Sequence, residues 1–286
     1  MAKIYAANQK MNKVYSTGKL IINENVLKAD TNSLVWSYLV MDMYGETISR
    51  YSRIFRCSKV NSVCLLTNLI DQLKHIHTAG FIHNDIKPDN IVFKNEACSG
   101  SAIRLIDFGE TSPYLNSNGV HFKETDRCIN TGNILISSCS KLENKIPSRK
   151  DDMIGLAYMV LFLIDSLPYQ AYYFDNIDQI SYKKVKAHLY QMKVKAKAED
   201  YCTKETEFLL PYLEEVFGMD YESEPDYGKL KFLLVKSLLE EGIVPPKNAL
   251  CSDYEPREKT NEFRLEEDES SHACGFDISA NKLPLR

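Results

Sequence analysis

A chain of 286 residues, 44% hydrophobic and 10% aromatic, is long enough to bury a sizeable core in one large domain or two small ones. Its net charge of −4 at pH 7 argues against a nucleic-acid-binding protein, which ordinarily carries a basic patch or domain. Eight scattered cysteines, with no C-x-x-C pair and no histidine cluster beside them, argue against a zinc site and fit reduced thiols in the cytoplasm or nucleus.

In chain order, the opening MAKIYAANQKMNK lacks an apolar core, so no signal peptide is expected, and residues 1–18 read as weakly helical. Leu20–Val26 and Ser33–Met41 read as strands, the second rich in β-branched and aromatic residues, and Gly45 follows as a break. Over Asn61–Thr78 the period changes. Leu66, Leu69, Ile70, Leu73 and Ile76 recur at three- and four-residue spacing, one face of a helix, with Gly80 where a helix stop belongs. Ile91–Phe93 and Ile103–Ile106 are short apolar strands around a polar turn. Residues 110–150 are irregular and too long for a plain connector, which points to a functional loop. Beyond Asp152 the chain reads as helical to about residue 242. The apolar run Met153–Ile164 is too short for a bilayer, which needs about 20 residues, and fits a helix buried on all sides. Pro245 and Pro246 break the pattern, and the remainder, with Glu266, Glu267, Asp268 and Glu269, reads as a solvated acidic tail.

The chemistry concentrates in Phe81–Phe93, FIHNDIKPDNIVF, and in the later Asp107-Phe108-Gly109. Phosphoryl transfer needs one carboxylate to orient an attacking hydroxyl, a carboxylate and an amide oxygen to hold a hard cation, and a lysine to offset the charge on the transferred group. The two stretches, in this order, supply all of these. Either alone is weak, and the pair H-x-D-x-K-x-x-N then D-F-G is specific.

These motifs resemble those of the protein kinases, and further segments resemble the casein kinase 1 group among them. Met41-Asp42-Met43-Tyr44-Gly45 resembles the hinge that holds adenine. Ser148-Arg149-Lys150-Asp151-Asp152 resembles the group's S-R-R-D-D, Ser166–Gln170 its S-L-P-W-Q and Pro225-Asp226-Tyr227 its P-D-Y. An A-P-E motif is absent, as in that group, and Ser37-Tyr38 resembles its vaccinia-related branch. The resemblance spans about residues 3–243. It implies an α+β fold, a mainly helical C-lobe beneath a small remnant of N-lobe sheet, with residues 1–44 as remnant and hinge, 45–245 as C-lobe and 246–286 as a disordered tail. It implies ATP and Mg²⁺ as cofactors and protein Ser/Thr hydroxyls, acidic-directed, as substrates, with no nucleic-acid or membrane partner.

Carried over position by position, Asp85 resembles the catalytic base and Lys87 the lysine that contacts the γ-phosphate. Asn90 and Asp107 resemble the Mg²⁺ ligands. Met41 is the gatekeeper, Asp42, Met43 and Tyr44 line the adenine site, and Val92 floors it. Asp152 is expected to tie the catalytic loop to the buried helix from beneath. His83 is expected to pack and hydrogen-bond rather than shuttle protons, since Asp85 fills that role. His75 and His77 are expected to be partly exposed, and nothing near Cys128 or Cys139 would make a reactive thiolate.

The sequence also departs from the resemblance. Asn84 stands where kinases commonly carry an Arg that pairs with a phosphate on the activation loop, so activity independent of such a phosphate is expected. Thr131-Gly132-Asn133 stands where G-T is usual, and Asn133 retains hydrogen-bonding capacity there. Only Gly18 precedes the hinge, so neither a Gly-rich loop nor the ATP-anchoring Lys is found, and if Lys3-Ile4-Tyr5 follows the helix Glu, Met1 stands in that Glu's place. Two readings stay open: a Ser/Thr kinase weakened in its upper lobe, or a pseudokinase acting as an interaction module. In either, a partner covering the exposed sheet remnant is expected.

Overall fold

The apolar stripe after residue 59 has few ways to leave water except as a helix packed on other helices, and the chain is built around that solution. A computed structural model of the protein describes residues 14–22, 34–52, 55–94, 103–126, 133–244 and 255–256. Helix Lys59–Thr78 is preceded by two strands, β1 (Val14–Ile22) and β2 (Leu34–Met41), a short helix α1 (Ile48–Ser52) and a short strand β3 (Phe55–Arg56); it is therefore α2. Ser58 caps its start by accepting from the Asn61 amide at 3.2 Å. At its end Gly80 takes φ +87°, a left-handed conformation that a residue with a Cβ adopts only under strain, and its amide closes onto the His77 carbonyl.

The second pillar is α4 (Arg149–Leu163), which follows β4 (Phe81–Ile82), β5 (Ile91–Phe93), β6 (Ile103–Leu105), β7 (Ser112–Pro113) and the one-turn helix α3 (Cys139–Leu142). Asp151 closes its first turn by accepting from the Ser148 amide at 2.6 Å. Every residue from Asp151 to Leu161 is buried, so the helix has no solvent face, as the unbroken apolar run Met153–Ile164 requires. It packs on α2 and on α7 (Leu210–Gly218), while α8 (Tyr227–Leu239) packs on both α2 and α7. Helices α5 (Gln170–Asn176) and α6 (Tyr182–Lys195) lie between α4 and α7 in sequence, and α6 packs on α3. Truncating a core side chain such as Leu156 should cost about 2–5 kcal/mol, because so enclosed a site cannot collapse into the gap.

All four strand pairs among the described residues are antiparallel: β1 with β2, β3 with β8 (Glu255–Pro256), β4 with β7, and β5 with β6. The expected weak helix over residues 1–18 is wrong for its last part. Val14–Gly18 opens β1, which runs from Val14 opposite Met41 to Ile22 opposite Leu34. The valine, tyrosine and threonine there favour a strand, and ladder bonds to β2 decide a segment too short to nucleate a helix. Residues 1–13, 23–33 and 257–286 lie outside the described residues, and with them the remainder of the first expected strand and most of the expected tail. Glu255–Pro256, which the sequence assigned to that tail, pairs with Phe55–Arg56.

Candidate active site

The segment Phe81–Phe93 runs from β4 through an extended loop and a single 3₁₀ turn, Pro88–Asn90, into β5. Pro88 sits in the first turn, where its missing amide is not needed. Before it, Asn84 adopts φ +69°. That twist lets two consecutive amides face the same way, and Asp152 in the first turn of α4 meets both. One carboxylate oxygen accepts from the His83 amide at 2.8 Å and the other from the Asn84 amide at 2.9 Å. His77 Nε2 adds a third contact at 2.9 Å, and Tyr227 Oη lies 2.8 Å from His77 Nδ1. Burial alone would raise the Asp152 carboxyl, but the His77 hydrogen bond and charge lead the contacts that hold it below its ordinary value. Asp152 thus ties the loop to the helix from beneath, as expected.

His77 corrects the sequence reading, which expected partial exposure. It is buried, because it continues the inward stripe of Ile70 and Leu73 on α2, where a polar ring is tolerated only with both nitrogens partnered. His75, one position off that stripe, is half-buried. His83 is also fully buried. Its Nε2 lies 3.1 Å from the Ile106 carbonyl, which makes that nitrogen the donor, and its Nδ1 accepts from the Asp85 amide at 3.3 Å. Burial pushes its pKa down, so the ring stays neutral, packed on the Phe108 ring.

Asp85 points above this brace and is 8% exposed. Its Oδ2 meets Lys87 Nζ at 2.8 Å and Asn90 Nδ2 at 2.8 Å, and Asn90 also donates to the Asp85 carbonyl at 2.9 Å. Burial would raise the Asp85 carboxyl, yet the Lys87 hydrogen bond and charge, followed by Asn90, hold it below the usual range. The Asn90 carbonyl accepts from the Ile106 amide at 2.8 Å, which brings the residue before Asp107 onto the loop. Asp107 itself has φ +61°, is exposed, and accepts from the Gly109 amide at 3.1 Å. With the amide nitrogen of Asn90 engaged by Asp85, its oxygen remains to meet a cation. That oxygen and the exposed Asp107 carboxylate are hard donors of the type that could hold a divalent cation such as Mg²⁺.

The segment after β2 lies along β5. Gly45 donates to the Phe93 carbonyl at 2.8 Å, Phe93 donates back to Glu46 at 3.0 Å, and Thr47 bridges Val92. Val92 is buried, Met41, Asp42 and Tyr44 are partly buried, and Met43 is 93% exposed. Burial, then the Asp42 charge, raises the Tyr44 hydroxyl pKa. Asp85 therefore contacts both Lys87 and Asn90, Asp107 joins through Ile106, and residues 45–47 lie along β5.

Two lysines escaped the sequence reading. Lys141 on α3 donates to the Asn84 carbonyl. Lys193 on α6 is buried, donating to the carbonyls of Ile134, Leu135 and Ser137 at 3.0, 2.9 and 2.6 Å, between the Tyr158 and Tyr169 rings. Lys193 left a signal: it follows Val185 and Leu189 at four-residue steps on the inward face of α6. Lys141 left none. Asn133 accepts from the Leu135 amide at 3.0 Å, turning its side-chain oxygen to its own backbone, and Thr131 and Gly132 lie outside the described residues. Burial raises the Cys139 thiol pKa, in line with an unreactive cysteine; Cys128 lies outside the described residues. Among the described residues no helix is long and apolar enough to cross a membrane.

A family profile described as "Protein kinase domain" matches residues 8–215. Among curated proteins, a "Probable casein kinase I homolog" of Encephalitozoon cuniculi is 27% identical over 194 residues, 67% of this chain and 58% of its own length. A "Casein kinase 1-like protein HD16" of Oryza sativa subsp. japonica is 30% identical over 198 residues, 67% of this chain and 27% of its own. A second "Probable casein kinase I homolog" of Encephalitozoon cuniculi is 27% identical over 242 residues, 81% of this chain and 72% of its own. The chain thus spans less than two thirds of the first two relatives. It belongs to the protein kinase family, α+β in fold, and its similarity within that family is to the casein kinase 1 group.

Proposed function

We propose that this member of the protein kinase family transfers the γ-phosphoryl group of ATP to Ser or Thr hydroxyls of protein substrates, in the cytoplasm or nucleus. The observation that carries this reading is the Asp85 carboxylate, kept ionised and aimed by Lys87 and Asn90. The substrate hydroxyl oxygen attacks the γ-phosphorus, the bond to the bridging oxygen of the departing ADP breaks, and Asp85 orients the hydroxyl and receives its proton. Lys87 swings from Asp85 toward the transferred group and offsets its charge. Asn90 and Asp107 would hold Mg²⁺ through their side-chain oxygens, and the ion would supply charge to neutralise the phosphates. Met41, Asp42, Met43 and Tyr44 receive the adenine over Val92. Positioning and charge supply nearly all the catalysis in this reaction class, so the bracing beneath Asp85 matters as much as its own chemistry. Residues 1–44 serve in this reading as upper-lobe remnant and hinge, 45–245 as the catalytic lobe and 246–286 as a tail.

A second reading, a catalytically inactive interaction module, is favoured by the exposed large apolar side chains Leu39 and Val40 on β2 and Met43 just after it, of the kind that partners cover. The test is phosphate transfer from labelled ATP with Mg²⁺ to casein, comparing the chain with Asp85→Asn. Transfer that disappears in the variant supports the kinase reading. No transfer above the variant overturns it in favour of the module.

A further inference from the structure

Asn84 immediately precedes the proposed base, and its peptide is gripped from three elements. Its amide donates to Asp152 on α4 at 2.9 Å, its side-chain nitrogen donates to the Glu110 carbonyl at 3.2 Å, and its carbonyl accepts from Lys141 on α3. The first grip belongs to α4 and the second to the turn after Asp107. The third comes from the segment 133–142, which closes the long irregular stretch. Lys141 is placed firmly there. Ser138 accepts from the Lys141 amide at 3.4 Å and donates to Asp151 at 2.5 Å, fixing α3 to the start of α4. On the far side Lys193 holds the carbonyls of residues 134, 135 and 137. Burial lowers the Lys141 pKa, while the charges of Asp152, Asp151, Asp85 and Glu110 favour its ammonium form. A polar cavity of about 10 Å³, room for one water, separates the segment from the loop and is lined by Asn84, Asp85, Ser138, Lys141, Asp151 and Asp152.

We infer that Lys141 is a positioning residue: by holding the Asn84 carbonyl it fastens the segment 133–142 to the catalytic loop and sets the place of Asp85. Its consequence for turnover rests on the kinase reading above. At position 84 an Arg would await a phosphate; here the cation sits on the other strand of the contact and its acceptor is a backbone carbonyl, present in every state of modification. The link is permanent rather than switched.

The full chain, Lys141→Met and Lys141→Arg are compared by hydrogen exchange and by transfer kinetics. Lys141→Met should speed exchange over residues 81–90 by about ten-fold or more, the scale of one charged hydrogen bond, and leave residues 153–161 of α4 within about two-fold. Lys141→Arg keeps a donor and a charge and should return exchange to within about three-fold of the parent. In an active chain, Lys141→Met should lower kcat by about ten-fold or more with KM for ATP within about two-fold, and Lys141→Arg should recover most of the loss. If Lys141→Met proves insoluble, Lys141→Ala, which also removes the donor and leaves room for water, is read the same way. Exchange over 81–90 unchanged in the variant, or raised equally in α4, overturns the inference. A parent chain that transfers no phosphate overturns the kinase reading instead, and exchange alone then decides the Lys141 link.

Discussion

The two carboxylates of the proposed site are held in opposite ways. Asp85 is buried and cross-tied: Lys87 and Asn90 grip its carboxylate, and Asp152, His77 and Lys141 brace the peptide beneath it. Asp107 is exposed, bonded to the amide two residues on, and connected to the rest through Ile106. The difference teaches a division of labour. A residue that must meet an incoming hydroxyl at one distance gains from a rigid mount built in advance, because misplacement is felt directly in the rate. A residue that meets a hard cation can leave part of the ordering to the ion, which draws its oxygens into place on arrival.

Removing the brace should do the most damage. Asp152→Ala strands two buried amides and an imidazole, and we expect a loss of about 3–5 kcal/mol in urea unfolding, together, in the kinase reading, with loss of transfer. A variant within about 1 kcal/mol of the parent would show that the loop holds itself. Next in size, Tyr227→Phe removes the partner of His77 Nδ1 and should cost about 1–3 kcal/mol by the same measurement, with the ring contact kept.

A pH series sharpens the contrast without mutation. The folded pKa of His83 is lowered, chiefly by burial, so the folded state refuses a proton that the unfolded chain accepts. The stability it contributes is present above its ordinary 6.5 and is lost as pH falls below that value, by at most about 1.4 kcal/mol per pH unit. Asp152 has a lowered carboxyl pKa, so its share persists through that range and is lost only as pH falls below its ordinary 3.8. Unfolding measured at pH 7, 5 and 3 should therefore weaken in two stages. A flat profile between 7 and 5 would mean that His83 takes up its proton without leaving the core.

The smallest expected change in stability is at the other carboxylate. Asp107→Asn should move unfolding by no more than about 0.5 kcal/mol, since the side chain is exposed and Asn keeps both the left-handed φ and an acceptor for the Gly109 amide. In the kinase reading it should nonetheless abolish Mg²⁺-dependent transfer. A large stability loss would place Asp107 with Asp85 on the rigid side and erase the comparison.

What the sequence made legible follows from distance along the chain. The stripe Leu66–Ile76 and the run Met153–Ile164 announce α2 and α4 because each helix is its own repeat. The proximity of Asp85, Lys87 and Asn90 is legible because six consecutive residues contain all three. His77 is 75 residues from Asp152 and 150 from Tyr227, and a histidine on a helix looks the same whether or not those partners exist. Lys141 is 57 residues from Asn84, and its target is a carbonyl, which every residue type shares. The start of β1 was misread because strand identity depends on β2, whereas local composition over residues 1–18 speaks only of intrinsic preference.

Lys193 has a chemical corollary. Its amine is enclosed by three carbonyls and two aromatic faces, and burial drives its pKa well below the ordinary lysine value. No acylating reagent can reach this amine while residues 134–137 stay seated. Its reaction with such a reagent therefore reports the rate at which that segment lifts from α6, a covalent record of opening that the exposed lysines, acylated at once, cannot keep.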